Sequence, residues 1–366
     1  MKITKIETLV VNMPMVIDAG ATPMQGGKPR TSIDTLLVRV ETDAGIIGWG
    51  EAFGHRIFHA TKAAIDTLIA PLCLGRDATQ IQTLNDDLQR GLHGIGRNGV
   101  VIYALSGIDI ALWDIAGKAA GQPLYRLLGG GEVASLPAYA SLLRYGVAKD
   151  VAKYTEQAMS RGYRLIKLHE ITVPEVKAAR DVAGAGIPIM VDTNCPWTVS
   201  QAIDMAYKLA PYDLTWLEEP VWPADDLAGL AEVRARGGLP TAAGENYGTV
   251  WEFLRSCESR AIDYAQPSVT KVGGVTELRR VTAVAESFGV RVVPHSAYFG
   301  PGLLASMHCI AAMAKPSWVE RYYCDFAENP LGDVLNPTKD GHLVVPQGPG
   351  LGIDPDPKIV AKLRTA

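Results

Sequence analysis

The period of the hydrophobic pattern changes along the chain. Ile3-Thr4-Lys5-Ile6-Glu7 alternates at period two, and Thr35–Glu41 and Ile46–Glu51 flank the turn residues Asp43-Ala44-Gly45, so the N-terminal stretch predicts antiparallel strands. From His59 to Ala120 the pattern is helical, and Gly121-Gln122-Pro123 stops its last and most apolar part, Val100–Ala119. After Gly129-Gly130-Gly131 short apolar runs alternate with amphipathic segments such as Ala148–Arg161, Ser200–Leu209, Val250–Arg260 and Val275–Phe288. The runs are Leu136–Ser141, Leu165–His169, Ile187–Asn194, Leu214–Pro220, Pro240–Asn246, Tyr264–Thr270, Arg291–Ser296 and Trp318–Tyr323. Strand–helix alternation of this kind predicts parallel strands joined by right-handed crossovers.

Eight runs suggest a closed (β/α) barrel. The polar residues at the ends of the second to eighth, Lys167, Asp192, Glu218, Glu245, Ser268, His295 and Glu320, recur every 23 to 27 residues, close to one βα unit. An open doubly wound sheet would repeat similarly. Polar residues ending nearly every strand fit a barrel better, because its active site gathers at the C-terminal ends of all strands. The proline- and glycine-rich stretch Asp325–Ala366 lacks this rhythm and is expected to pack against the N-terminal region. The division expected is residues 1–130 as an α+β cap, 131–324 as the barrel, and 325–366 as a tail returning to the cap. Pro14–Ser32 is long enough to serve as a lid.

Composition adds exclusions. The chain has 366 residues, 48% of them hydrophobic and 20% charged, enough to bury a large core. Its net charge of -4 offers no basic excess for nucleic acid. No apolar run reads as a membrane span, Met1–Glu7 reads as a strand rather than a leader, and the expectation is a cytoplasmic protein. The five cysteines are widely spaced and form neither a disulfide framework nor a CxxC pair. Gly94-Ile95-Gly96-Arg97-Asn98-Gly99 matches G-x-G-x-x-G, but a helical segment precedes it, so it is read as a turn between helices rather than a dinucleotide loop. His295-Ser296 lacks a nucleophile elbow, and no HExxH or Walker A sequence is present.

The carboxylates are the informative feature. Asp192, Glu218 and Glu245 each follow an apolar run one βα unit apart, which would aim three anions into one mouth. Such a cluster needs a cation, and all-oxygen ligands with positions left for water and substrate suit Mg2+, one per subunit, with Mn2+ as a substitute. Lys167 and His169 lie two apart and share a strand face, while His295 and Glu320 end the seventh and eighth strands.

These motifs together resemble the enolase superfamily, in particular its mandelate racemase-like subgroup. The resemblance rests on Gly48-Trp49-Gly50-Glu51, Ala104–Asp114 and Leu127-Leu128-Gly129-Gly130. In the barrel it rests on Val191-Asp192-Thr193-Asn194, Trp216-Leu217-Glu218-Glu219-Pro220, Gly244-Glu245-Asn246, Lys271-Val272-Gly273-Gly274 and Trp318-Val319-Glu320-Arg321. It implies an α+β cap on a modified TIM barrel, (β/α)7β, with the Pro14–Ser32 and Ala52–Ala60 loops closing over a small carboxylate substrate, and a homo-oligomer. It implies that Asp192, Glu218 and Glu245 are the Mg2+ ligands, that Lys167 and Asn194 hold the substrate carboxylate, that His295 is a base, and that Glu320 is the acid hydrogen-bonded to that carboxylate. Tyr298, Lys271 and Ser268 complete the substrate-contacting set expected.

Two departures from the subgroup's pattern shape the expected reaction. The second strand reads Lys167-Leu168-His169 where Lys-x-Lys is common, and Ser268 stands where racemase-like members place an aspartate beside the seventh-strand histidine. A histidine starts near pKa ~6.5 and needs less tuning as a base than a lysine near ~10.4. Lys167 is then expected to stay cationic, and His295 to be a weaker, less firmly oriented imidazole. The reading that follows is abstraction of the proton α to a carboxylate through an enediolate, with β-elimination of water from a sugar acid to give a 2-keto-3-deoxy acid. A racemase, epimerase or cycloisomerase using the same enolisation is the alternative, and a non-catalytic barrel is the third reading.

Overall fold

The computed structural model describes residues 1–16 and 31–365. Most of the expected lid Pro14–Ser32 falls outside the described residues. The N-terminal strands β1 (Ile3–Val16), β2 (Ser32–Thr42) and β3 (Ile47–Ala52) form an antiparallel sheet. β1 runs well past the alternating Ile3–Glu7 because both faces of its second half are buried. Leu9, Val11 and Met13 join the core shared with the barrel, whereas Val10 joins the core under the cap helices. A strand covered on both faces loses its period-two signal, so its length was not legible from alternation.

The cap helices Ile81–Gly91 and Val100–Ala120 pack on this sheet. Gly50 and Gly107 permit the approach: a Cβ on Gly50 would lie 2.0 Å from the Gly107 carbonyl oxygen. Val100–Ala120 is long and apolar enough to cross a membrane, contrary to the sequence reading, but 83% of its apolar window is buried inside the fold. Gly94–Gly99 forms the turn between the two helices, as expected. Ala52–Ala60 is not an open loop: β3 runs to Ala52, a 3-10 turn spans His55–Ile57, and a helix starts at Phe58.

The barrel follows as β4 (Ser135–Ser141), β5 (Ile166–Leu168), β6 (Ile189–Asp192), β7 (Leu214–Glu218), β8 (Thr241–Ala243), β9 (Tyr264–Ala265), β10 (Arg291–Val292) and β11 (Val319–Tyr322). The strands pair in parallel in the order β10-β9-β8-β7-β6-β5-β4-β11. A helix joins each consecutive pair, the last being Pro301–Ala311, and none separates β11 from the tail, which gives the expected (β/α)7β arrangement. Tyr139, Leu165, Met190, Trp216, Ala242 and Val293 pack inside it, so the barrel is a filled core with a site above it. β9 and β10 are shorter than their apolar runs. Pro267 and Pro294 lack the N–H a ladder needs, so Ser268 and His295 lie on loops beyond the strands.

The tail touches both parts of the molecule. β12 (Asp325–Phe326) adds to β1, and the Thr365 N–H donates to the Val10 carbonyl at 2.8 Å, whereas β13 (His342–Val344) pairs antiparallel with β4. Cap and barrel are also joined by buried polar contacts. Glu51 accepts from the Gly302 N–H at 2.8 Å, Asp109 from the Thr276 N–H at 3.0 Å, and the Ser106 hydroxyl from the Gly273 N–H at 2.9 Å.

Candidate active site

Asp192 and Glu218 end β6 and β7 directly opposite each other in the ladder. Glu245 lies two residues past β8, where Gly244 turns the chain with φ 124°. One carboxylate oxygen from each of the three lies within 4.8 Å of the others. Each is braced locally: Asp192 Oδ1 accepts from the Asn194 N–H (3.0 Å), Glu218 Oε2 from Trp216 Nε1 (2.8 Å), and Glu245 Oε1 from Asn246 Nδ2 (3.0 Å). The left-handed backbone at Asn194 and Cys195 (φ 54° and 57°) and at Glu219 (φ 43°) turns these segments just above the carboxylates. Strain held in this way clusters at functional sites.

Lys167 is fully buried beneath the cluster, its Nζ 2.7 Å from Glu218 Oε1, 3.0 Å from Asp192 Oδ2 and 3.3 Å from Glu320 Oε1. Burial opposes its charge, but Asp192, Glu218 and Glu320 outweigh burial and hold its pKa well above the ordinary value. It is cationic, as expected. Without substrate it binds these carboxylates rather than an incoming one.

The anions still exceed the cations. Burial, with Asp192 next to it, pushes Glu218 well above the usual carboxylate range, and burial with Glu245 does the same to Glu219. Asp192 Oδ2 is buried without a hydrogen-bond partner among the described residues, despite its ion pair with Lys167. An all-oxygen trio at this spacing, short of positive charge, suits a hard divalent cation.

The two histidines flank the trio in unlike settings. His169 Nδ1 hydrogen-bonds the Leu142 carbonyl, which can only accept, so Nδ1 carries a proton, and Nε2 faces Asp192 Oδ2 at 3.4 Å. His295 Nε2 lies 3.3 Å from Glu245 Oε2 and 3.9 Å from Glu320 Oε2, and its Nδ1 is 3.1 Å from Ser268 Oγ. Burial lowers the His295 pKa against the pull of Glu245 and Glu320, in the direction expected without an aspartate partner.

Glu320, expected as the acid bonded to the substrate carboxylate, is ionised in the absence of substrate. Burial raises its pKa, but Lys167, His295, the Ser296 N–H and the Ser141 hydroxyl outweigh burial and leave it at about 2. Before substrate arrives it is a carboxylate neutralising Lys167.

The remaining expected residues also lie at the mouth. Asn194 Oδ1 accepts from Arg144 at 3.2 Å. Lys271 Nζ donates to Asn246 Oδ1 at 3.0 Å and lies 4.5 Å from the centroid of Phe53, which reaches over from the cap. Tyr298 is buried, with its hydroxyl bonded to Ser268 Oγ.

Sequence reasoning missed Arg144, Glu170, Glu219 and Asn246. Arg144 donates to the carbonyls of His169 and Thr193 (3.1 Å to the latter) as well as to Asn194. Glu170 accepts from the Tyr145 N–H at 2.7 Å and the Gly146 N–H at 3.1 Å. Asn246 bridges Lys271 to Glu245 and Glu219. Glu219 and Asn246 adjoin expected ligands and could have been found by that adjacency; Arg144 lies in a loop with no periodic signal.

Known proteins resemble this chain in sequence and fold. Residues 15–129 match the family model "Mandelate racemase / muconate lactonizing enzyme, N-terminal domain", and residues 150–359 match "Enolase C-terminal domain-like". The arabinonate dehydratase of Saccharolobus solfataricus is 32% identical over 333 residues, covering 87% of this chain and 88% of that protein. The D-galactarolactone cycloisomerase of Agrobacterium fabrum is 32% identical over 338 residues, with coverage of 87% and 88%. A crystal structure of a racemase from Streptomyces coelicolor with bound magnesium superposes with a TM-score of 0.86 at 29% identity, covering 99% of this chain and 100% of that one. With both of its halves matched and relatives spanning most of its length, the chain belongs to the mandelate racemase/muconate lactonizing enzyme family of the enolase superfamily.

Proposed function

We propose that this enzyme is a Mg2+-dependent sugar-acid dehydratase, which removes the proton α to the carboxylate of a polyhydroxy acid and expels the β-hydroxyl as water to give a 2-keto-3-deoxy acid. The general reaction, enolase-type proton abstraction, is that of its relatives; the substrate class, the metal and the roles below are our reading. The observation that carries it is the placement of His169 and His295 on opposite sides of Asp192, Glu218 and Glu245, with Nε2 of each directed at a carboxylate of the trio.

Asp192, Glu218 and Glu245 would hold Mg2+, which when bound supplies positive charge to the substrate carboxylate as a second negative charge develops there. Lys167 and Asn194 bind that carboxylate, and Lys167 remains cationic while doing so. His169, held by its Nδ1 hydrogen bond to the Leu142 carbonyl, takes the α-proton on Nε2. His295 delivers a proton to the departing β-oxygen, after which the enol product ketonises. Lys271, held by Asn246 under Phe53, contacts the polar tail of the acid at the cap side.

The second reading is a cycloisomerase or racemase. The cycloisomerase relative, as similar as the dehydratase, favours keeping it. The unlike surroundings of the two histidines favour elimination over a racemase with interchangeable bases. The test is a panel of aldonic, aldaric, anhydro-sugar and lactone acids with Mg2+ in D2O, followed by NMR and keto-acid detection. A dehydratase gives a keto acid with loss of water, and an isomerase gives deuterium incorporation without loss of water. Turnover unaffected by EDTA would overturn the metal assignment.

A further inference from the structure

The hydroxyls of Ser268 and Tyr298 occupy the position where a histidine that handles protons usually finds a carboxylate. His295 Nδ1 lies 3.1 Å from Ser268 Oγ, and Ser268 Oγ is hydrogen-bonded to the Tyr298 hydroxyl. The rings of His295 and Tyr298 meet edge-on, with centroids 5.9 Å apart. Ser268 and Tyr298 are both buried. The phenol is therefore turned toward Ser268 and held beneath the mouth.

We propose that Tyr298 and Ser268 form a hydroxyl relay that fixes the His295 ring for proton delivery, so that Tyr298 is a positioning residue acting through Ser268 rather than a reader of the substrate. The inference rests on the proton role proposed for His295 and adds the means by which that ring is held.

The physical reason lies in what hydroxyls can do and carboxylates cannot. An ionised aspartate only accepts, so an aspartate partner requires Nδ1–H and stabilises the imidazolium. A hydroxyl both donates and accepts. With Tyr298 donating to Ser268 and Ser268 donating to Nδ1, the ring is neutral and its single proton sits on Nε2. With both senses reversed, Nδ1–H donates to Ser268 and Ser268 donates to Tyr298, and this sense serves both the imidazolium and the neutral ring, with its proton on Nδ1, that remains once Nε2–H has been delivered. The pair therefore orients His295 in either protonation state without adding negative charge behind it. That suits a group that must give up a proton to a leaving oxygen and later regain one from water.

The buried surroundings make the relay exacting. Thr270 and Glu51 are also near the Tyr298 hydroxyl, and burial raises its pKa far above the ordinary phenol value, so it stays a neutral hydroxyl that can donate or accept in either sense of the relay. Removing the phenol oxygen leaves Ser268 with one partner fewer, and His295 with a less firmly held hydroxyl behind it.

The test pairs a spectroscopic readout needing no substrate with a kinetic cycle. In Mg2+-loaded protein labelled with [15N]histidine, H295N identifies the His295 signals by their loss. Y298F is expected to move the His295 Nδ1 resonance although Tyr298 does not touch that nitrogen; an unchanged resonance overturns the relay. With the acid turned over in the panel, Y298F and S268A should each lower kcat about tenfold, the scale of one net hydrogen bond, with KM changed less than about twofold. In an H295N background Y298F should add no further loss. A Y298F enzyme with raised KM, whose loss multiplies that of H295N, overturns the inference in favour of direct substrate contact. If H295N alone turns over normally, the role proposed for His295 falls, and the NMR arm still decides the relay.

Discussion

The two flanks of the mouth hold their histidines by different means. On the β5 side the contacts that orient His169 among the described residues come from inside the barrel. The Leu142 carbonyl fixes its tautomer, Arg144 grips its carbonyl, and Glu170 binds the N–H groups of Tyr145 and Gly146 in return. On the β10 side the support reaches into the cap. Ser268 and Tyr298 lie behind His295, and the helix that follows starts at Pro301, where Glu51 from β3 accepts the Gly302 N–H. Under the proposed roles, the flank braced from within the barrel would suit the base that takes the α-proton. The flank tied to the cap would suit the group that protonates the departing β-oxygen.

The largest expected effect breaks both flanks at once. E218Q should abolish Mg2+ binding by titration calorimetry and lower turnover by on the order of 10³ or more, since a metal contributes several kcal/mol to a developing dianion. Next, the two histidines should separate. H169N should lose both α-proton exchange and product, by roughly 10² to 10⁴, whereas H295N should lose product while retaining measurable exchange in D2O. Equal exchange in both variants would erase the distinction between the flanks. A smaller effect probes the internal brace: R144M should cost about tenfold in kcat through a loosened His169, with R144K recovering part of it, as expected when charge-assisted hydrogen bonds to backbone are lost. The same R144M should leave Mg2+ affinity close to wild type.

The smallest effect probes the cap side. Burial pushes the Glu51 carboxyl up to about 7, despite the N–H groups of Gly302 and Gly300, and among the described residues it has no ion-pair partner. The folded pKa thus lies above an unfolded value near ~4.3. The stability this gives is full below that unfolded value and is lost as pH rises through about 7. Thermal melts should show wild type losing stability from pH ~5 to ~8 more steeply than E51Q, which is neutral throughout. Identical slopes would show that Glu51 is not a buried unpaired carboxyl.

Much of the site was legible because barrel topology turns sequence spacing into spatial neighbourhood. Asp192 and Glu218 end their strands and Glu245 lies two residues past its own, each about one βα unit from the next, so their meeting needed only the barrel. Lys167 and His169 shared a face by alternation alone. What sequence could not show was who holds whom. Arg144 carries no periodic signal, and its partners are backbone carbonyls that any residue could supply. Tyr298 looked like a substrate contact from its place beyond β10, and only three-dimensional packing turns its hydroxyl toward Ser268. Glu320 was expected as the acid bonded to the substrate carboxylate, and its ionisation before substrate arrives follows from Lys167 on β5 and His295 beyond β10 converging on it. In the cap, double-sided burial erased the alternation that would have set the length of β1.

The most direct test of the central claim is to follow the α-proton in D2O by NMR, with Mg2+ and the acid-sugar panel, for wild type, wild type with EDTA, and H169N. The account predicts loss of the α-proton signal with formation of a 2-keto-3-deoxy acid in wild type, and neither change in the other two samples. Keto-acid formation that survives EDTA, or H169N exchanging the α-proton as fast as wild type, would contradict it.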